Sequence, residues 1–286
     1  MTVITSTRNP KIVALRKLSQ RKHRRAQNRF AVEGLQLLGM ALEGGHAPLD
    51  IFYCPAHFAG ATAPALLERL IAAGGRAHAV SPAIMQALSE RDAPQGLIAT
   101  FPLFQTPLPV LLDALPDPAL LVVLDRLQDP GNVGTLLRTA DAVAAGGVIL
   151  IEPCADPFDP KTVRGSMGSL FTVPLARTTD PPTLFAALKE RGFKCTAADG
   201  YRGDIPWQPH TDALRGSVAL FLGNEARGLS DDLRPHLTHW VRLPMPGHAE
   251  SLNVAVAGGV LMYYWLAQNT HRQPPAANCE NPPPRV

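Results

Sequence analysis

Apolar and polar residues follow one another along this chain in two rhythms, and the change between them falls near residue 119. Beyond it, short apolar runs at 119–124, 148–151, 171–175, 194–198, 218–222 and 240–243 are separated by stretches with helical apolar spacing. Compact apolar runs suit strands buried on both faces, and the spaced stretches suit amphipathic helices. Helices are predicted over 133–144, 161–167, 182–191, 230–236 and 252–268. The first of them has Val133, Leu136, Leu137, Ala140 and Ala144 as its core stripe, with Asn132 placed to cap it. Strand and helix in alternation predict an α/β domain with a mostly parallel sheet covered on both faces.

The first hundred residues are patterned differently. Ile12, Leu15 and Leu18 fall at helical spacing, so a basic helix followed by an amphipathic one is predicted for the first forty or so residues. Apolar runs at 50–54, 77–80 and 96–101 then alternate with helical stretches at 63–73 and 82–90, which describes a smaller α/β module. Five prolines between 102 and 118, with few charges, have the composition of a stiff linker holding one helical turn at 110–115. After residue 268 the chain is Pro-rich with almost no apolar bulk and is expected to be disordered. The predicted division is therefore a smaller α/β module at 1–102, a linker at 103–118, the larger α/β domain at 119–270 and a tail at 271–286.

Charge changes this picture in one place. The net charge is only +3, yet residues 8–29 hold nine Lys or Arg and no acid. Like charges repel unless a polyanion neutralises them, which makes Arg8, Lys11, Arg16, Lys17, Arg21, Lys22, Arg24 and Arg25 candidate contacts to the phosphates of a polyanion. No stretch reaches the roughly eighteen apolar residues of a membrane span, and no apolar signal-peptide core follows the basic start. A cytoplasmic location is expected. Cys54, Cys154, Cys195 and Cys279 are far apart and form no C-x-x-C, so free thiols are expected, with neither disulfide nor metal site.

Open parallel sheets bind ligands beyond the carboxyl ends of their strands. Two predicted strands end in polar, glycine-containing loops: Gly223-Asn224-Glu225-Ala226-Arg227-Gly228 after 218–222, and the stretch from Pro244 to Asn253 after 240–243. Singly, each candidate has an ordinary reading. Arg138 sits about 100° round its helix from Leu137 and suits a surface pair with Asp141. Glu225 suits a turn, and Ser251 and Asn253 suit the cap of the last helix.

Taken in order, three stretches resemble the motifs of the SpoU/TrmH family, the ribose 2′-O-methyltransferases of the SPOUT superfamily. They are LDRLQDPGNVGTLLRTADA (124–142), LFLGNEARGLS (220–230) and VRLPMPGHAESLNVAVAGG (241–259). The resemblance covers 119–268. The amino-terminal part, from STRNPKIVALRKL to FAVEGLQLLGMAL, is similar to the L30e-type RNA-binding domain that precedes the catalytic domain in rRNA-modifying members. The family likeness implies a carboxyl-terminal α/β trefoil-knot (SPOUT) domain and a smaller α/β L30e-like domain, assembled as a homodimer. It implies S-adenosylmethionine as cofactor, held at Gly223, Asn224, Leu243, Met245 and Leu252. Asn132, Arg138, Glu225, Ser251 and Asn253 match the family's polar active-site positions, with Arg138 serving its own or the partner's site.

Methyl transfer from a sulfonium requires alignment of a ribose 2′-hydroxyl and removal of its proton, and no metal. Arginine keeps its charge in nearly every protein setting, so a clamp on phosphate and developing alkoxide suits Arg138 better than a base, although the base role stays open. Four rivals stand beside this reading. They are a tRNA 2′-O-methyltransferase, a non-catalytic RNA-binding protein, a knotted methyltransferase that modifies a base, and a dinucleotide enzyme, the last lacking any G-x-G-x-x-G after a strand.

Overall fold

The structure is a computed structural model that describes residues 2–270. The expected tail at 271–286 lies outside the described residues. Two sheets organise the chain. The smaller is built from α1 (Pro10–Lys17), α2 (Arg21–Gln27), β1 (Arg29–Glu33), α3 (Leu35–Glu43), β2 (Asp50–Tyr53), α4 (Thr62–Ala72), β3 (Arg76–Ala79), α5 (Pro82–Leu88) and β4 (Leu97–Pro102). Its strand order is β1-β4-β2-β3, with β4 antiparallel to both neighbours and β3 parallel to β2. Ile12, Leu15 and Leu18 bury themselves against this sheet, as their spacing predicts.

The larger sheet follows α6 (Leu108–Asp113) and comprises β5 (Leu120–Asp125), β6 (Gly147–Ile151), β7 (Leu175–Thr178), β8 (Lys194–Ala198), β9 (Val218–Leu222) and β10 (His239–Val241). The order is β10-β8-β9-β5-β6-β7 and every pairing is parallel. Every residue of β5, β6 and β9 is buried, because helices cover both faces. Leu120, Val122 and Leu124 point into one core, while Leu121 and Val123 point into the other. The covering helices are α7 (Pro130–Ala142), α8 (Pro160–Gly165), α9 (Pro181–Glu190) and α10 (Val254–Thr270). Three of them open on Asp-Pro: Asp129, Asp159 and Asp180 each accept a first-turn N–H, and the proline that follows needs no such partner.

The structure corrects several sequence-based expectations. Residues 29–33 form a strand, not part of a helix: Asn28 turns the chain at φ +47°, and Phe30 and Val32 alternate inward. Asn132 lies within the first turn of α7, which Asp129 caps. The strand expected at 171–175 is a 3-10 turn at Ser169–Phe171, and the sheet resumes only after Pro174. Of the helix expected at 230–236 only the turn Arg234–His236 forms, around Pro235. The proline-rich 103–118 segment is packed rather than free. Leu111 and Leu112 enter the second core, and Phe104 joins Phe30, Phe158 and Phe171 in an aromatic cluster.

That cluster makes one core continuous between the two sheets. Polar contacts reinforce the seam. Arg24, 1% exposed, donates to Asp156 at 2.8 Å and 3.0 Å, to Asp159 at 3.3 Å, and to the carbonyls of Leu18 and Ser19. Arg21 reaches Glu152 and the carbonyl of Cys154. Cys54, Cys154 and Cys195 are buried free thiols, and burial pushes Cys154 up to about 12 and Cys195 up to about 11, which leaves both unreactive. Cys279 lies outside the described residues. Among the described residues no helix is long and apolar enough to cross a membrane.

Candidate functional site

The carboxyl ends of β8, β9 and β10 are neighbours in the sheet, and a cavity of about 790 Å³ opens between the loops that leave them. Its apolar wall includes Leu222, Leu243, Leu252, Ala257 and Leu261, and its polar rim includes Asp199, Glu225, Glu250 and Ser251. A volume of this size accommodates a cofactor as large as a nucleoside with an amino-acid arm.

The loop after β9 is built with little freedom. Asn224 and Gly228 exchange backbone hydrogen bonds of 3.0 Å and 2.8 Å, closing a five-residue turn that Gly228 completes at φ +67°. A Cβ on Gly223 would stand 2.4 Å from the backbone of Gly228 and Leu229, so no side chain is tolerated there. Asn224 turns its side chain inward: Oδ1 accepts from the N–H groups of Ala226 and Arg227, and Nδ2 donates to the carbonyl of Arg126. Asn224 therefore shapes the loop that walls the cavity. Asp125, fully buried at the end of β5, accepts from both the N–H (2.8 Å) and hydroxyl (2.6 Å) of Ser230 and anchors the far side of that loop.

Asn132 joins the three motif stretches. Its Nδ2 donates to Glu225 Oε1 at 2.9 Å, and its Oδ1 accepts from Asn253 Nδ2 at 3.0 Å. Asn253 in turn caps α10, its Oδ1 accepting from Ala255 and Val256. Both ends of each asparagine amide are thus engaged, which fixes their orientation. Ser251 is exposed at the cavity wall, and its hydroxyl makes no hydrogen bond among the described residues. Of the two residues suited to capping α10, only Asn253 does so.

All five positions expected to hold the cofactor, Gly223, Asn224, Leu243, Met245 and Leu252, line the cavity, together with Glu225, Ser251 and Asn253. Asn132 stands just behind them through Glu225. Arg138 does not line it. This arginine is exposed on α7, and the expected pair with Asp141 is not made, because Asp141 accepts from the hydroxyls of Ser169 and Thr172. Close packing of α10 is explained within the chain: a Cβ on Gly258 would meet Leu136 and Leu222 at 2.6 Å and 2.7 Å.

A fourth segment escaped the sequence reading. Asp199, Gly200, Tyr201 and Arg202 line the cavity where β8 ends. Asp199 accepts from the N–H groups of Tyr201 and Arg202, and its own N–H donates to Val241, tying the turn to β10. The sequence does place a strand ending at Ala198. What it does not supply is the strand order that sets this end beside β9 and β10.

The all-parallel sheet with a cavity formed by the loops of β8 to β10 is the arrangement of an α/β domain that binds beyond its strand ends, and the comparisons make it a methyltransferase domain of the SPOUT class. Residues 119–263 match the SpoU rRNA Methylase family and residues 9–99 the MRM3-like substrate binding domain. The chain belongs to the SpoU rRNA methylase family. Among its relatives, it is 34% identical to an uncharacterized tRNA/rRNA methyltransferase of Synechocystis, over 91% of this chain and 92% of that one. It is 32% identical to the 23S rRNA (guanosine(2553)-2′-O)-methyltransferase RlmP of Bacillus subtilis, over 92% and 99% respectively. The AdoMet-bound rRNA methyltransferase of Sinorhizobium meliloti superposes with a TM-score of 0.79 at 32% identity, covering 92% of this chain and 97% of its own.

Proposed function

We propose that this protein transfers a methyl group from S-adenosylmethionine to a ribose 2′-hydroxyl of rRNA, acting as a cytoplasmic homodimer. The observation that carries the reading is the cavity itself. Its walls come from the second and third motif loops, and the Glu225–Asn132–Asn253 chain ties the first motif to both. S-adenosylmethionine supplies a methyl group already made electrophilic by the sulfonium. Gly223, Leu243, Met245 and Leu252 hold it, through backbone groups and apolar contact, and Asn224 keeps the loop in shape.

The protein's own side chains then have alignment as their main task. Ser251 offers its free hydroxyl to the ribose. Asn132 and Asn253 act as positioning residues, because their amides are committed to Glu225, to each other and to the cap of α10. Arg138 clamps the neighbouring phosphate and stabilises the developing alkoxide. Its place off the cavity of its own subunit supports service in the partner's site. Val256, Val260 and Tyr263 are exposed on α10, which packs against the helix that carries Arg138. They supply an apolar stripe for the dimer contact.

A substrate of rRNA rather than tRNA is supported by the substrate-binding match over 9–99 and by the names of full-length relatives such as RlmP. Exposed Arg8, Lys11, Arg16, Lys17, Lys22 and Arg25 serve as phosphate contacts. Arg24 is withdrawn from that set, since it is buried and fully paired, and Arg21 is half-buried and bound to Glu152. Incubation with methyl-labelled S-adenosylmethionine and separated rRNA and tRNA tests the reading. Label is expected in rRNA; label confined to tRNA, or in neither, contradicts it.

A further inference from the structure

The end of the small sheet at which β1, β2 and β3 begin carries a second polar concavity, remote in lining from the cofactor cavity. Two arginines and a histidine, from two strands, converge there on one carboxylate. Arg29 from β1 donates to Asp50 at 2.8 Å, Arg76 from β3 at 3.2 Å, and His78 Nε2 from β3 lies 2.9 Å from its other oxygen. Lys11 from α1 lies 3.2 Å from His78 Nδ1 and meets no carboxylate among the described residues. Burial opposes the charge of Asp50, but hydrogen bonding from His78, the charge of Arg76 and the bond from Arg29 outweigh it and hold its pKa below the usual value. The carboxylate is therefore ionised near neutral pH and neutralises one cation. Lys11, Arg29 and Arg76 outnumber it.

Two hollows adjoin this cluster, about 160 Å³ and 470 Å³, and Lys11 lines both. Asp50 is the one acidic residue lining either, while Arg16 and Lys17 stand exposed on the same helix as Lys11. A charged edge strand by itself guards against pairing with another sheet. Such a guard needs neither a concavity nor a lysine from another element. Arg76 keeps 69% of its side chain exposed and spends only one of its terminal nitrogens on Asp50, so most of its donors remain open to solvent.

We infer that Lys11, Arg76 and His78 form a binding site for RNA sugar-phosphate backbone on the small domain, preorganised by Asp50 and Arg29. It rests on the proposed action on rRNA and extends the RNA contact beyond the amino-terminal basic run. The carboxylate holds Arg76 and His78 in place without cancelling the excess charge, and the hollows admit a phosphodiester chain between α1 and β3. The contact reads backbone rather than base sequence, as phosphate contacts do.

The test uses the full chain, a fluorescein-labelled RNA hairpin and the double variant Lys11→Gln/Arg76→Gln. Affinity at low salt is expected to fall about tenfold, and the slope of log affinity against log salt to become shallower by about 1.4 to 1.8, for two lost contacts. S-adenosylmethionine binding by calorimetry and the unfolding midpoint report whether the rest of the molecule is intact. Should the double variant fold poorly, Arg76→Gln alone is expected to give about half of the change in slope. Wild-type affinity and slope in a folded variant overturn the site. The hairpin assay needs no methyl transfer, so failure to methylate rRNA would overturn the proposed function without deciding this contact.

Discussion

Arg138 illustrates how one side chain's surroundings limit what it can do. Among the described residues it has no acidic partner, and it has no place in its own subunit's cavity, although Asp141 stands one turn away and is occupied by Ser169 and Thr172. A free, exposed guanidinium suits a bidentate contact with phosphate, which lysine cannot reproduce. Arg138→Lys is therefore expected to lower kcat by about a hundredfold, the scale of one lost transition-state donor, with S-adenosylmethionine affinity unchanged by calorimetry. An unimpaired rate would remove Arg138 from the mechanism. The candidate residues of the motif loops were legible because their type and order are distinctive. Their division of labour was not, since Asn132, Ser251 and Asn253 differ in which of their groups are already engaged, and only coordinates reveal that.

Secondary elements were legible where one local signal dominated. The strands at 194–198 and 218–222 match residue for residue. The Asp-Pro pairs that open α7, α8 and α9 are a signal that the expected starts at 133, 161 and 182 did not use. The strand Arg29–Glu33 was hidden because its alternation spans only Phe30 and Val32 and then runs directly into the apolar residues of α3. The basic run was partly misleading for a related reason. Charge counting does not separate an arginine facing RNA from one facing a buried aspartate. Arg24→Met should be destabilising by roughly 3–5 kcal/mol, because Asp156 is left buried without its partner. Arg25→Met, at an exposed position of the same helix, should leave stability within about 0.5 kcal/mol while weakening RNA binding. Denaturant midpoints and hairpin affinities check both, and equal stability in the two variants would contradict the structural role given to Arg24.

At the scale of the whole molecule, alternation of strand and helix gives away a parallel sheet but not its order. The order places the ends of β8, β9 and β10 side by side, and so adds Asp199–Arg202 to a cavity otherwise formed by the two motif loops. The small sheet is joined to the large one through the Phe30, Phe104, Phe158 and Phe171 cluster, which gives the proposed RNA contacts of the small domain a set position relative to the cavity. The chemistry assigned to that cavity predicts one kind of product. Digestion of rRNA to nucleosides after reaction with labelled S-adenosylmethionine, followed by mass spectrometry, identifies it. The account predicts a single nucleoside whose added methyl mass stays with the ribose on fragmentation; a methyl that stays with the base would contradict it.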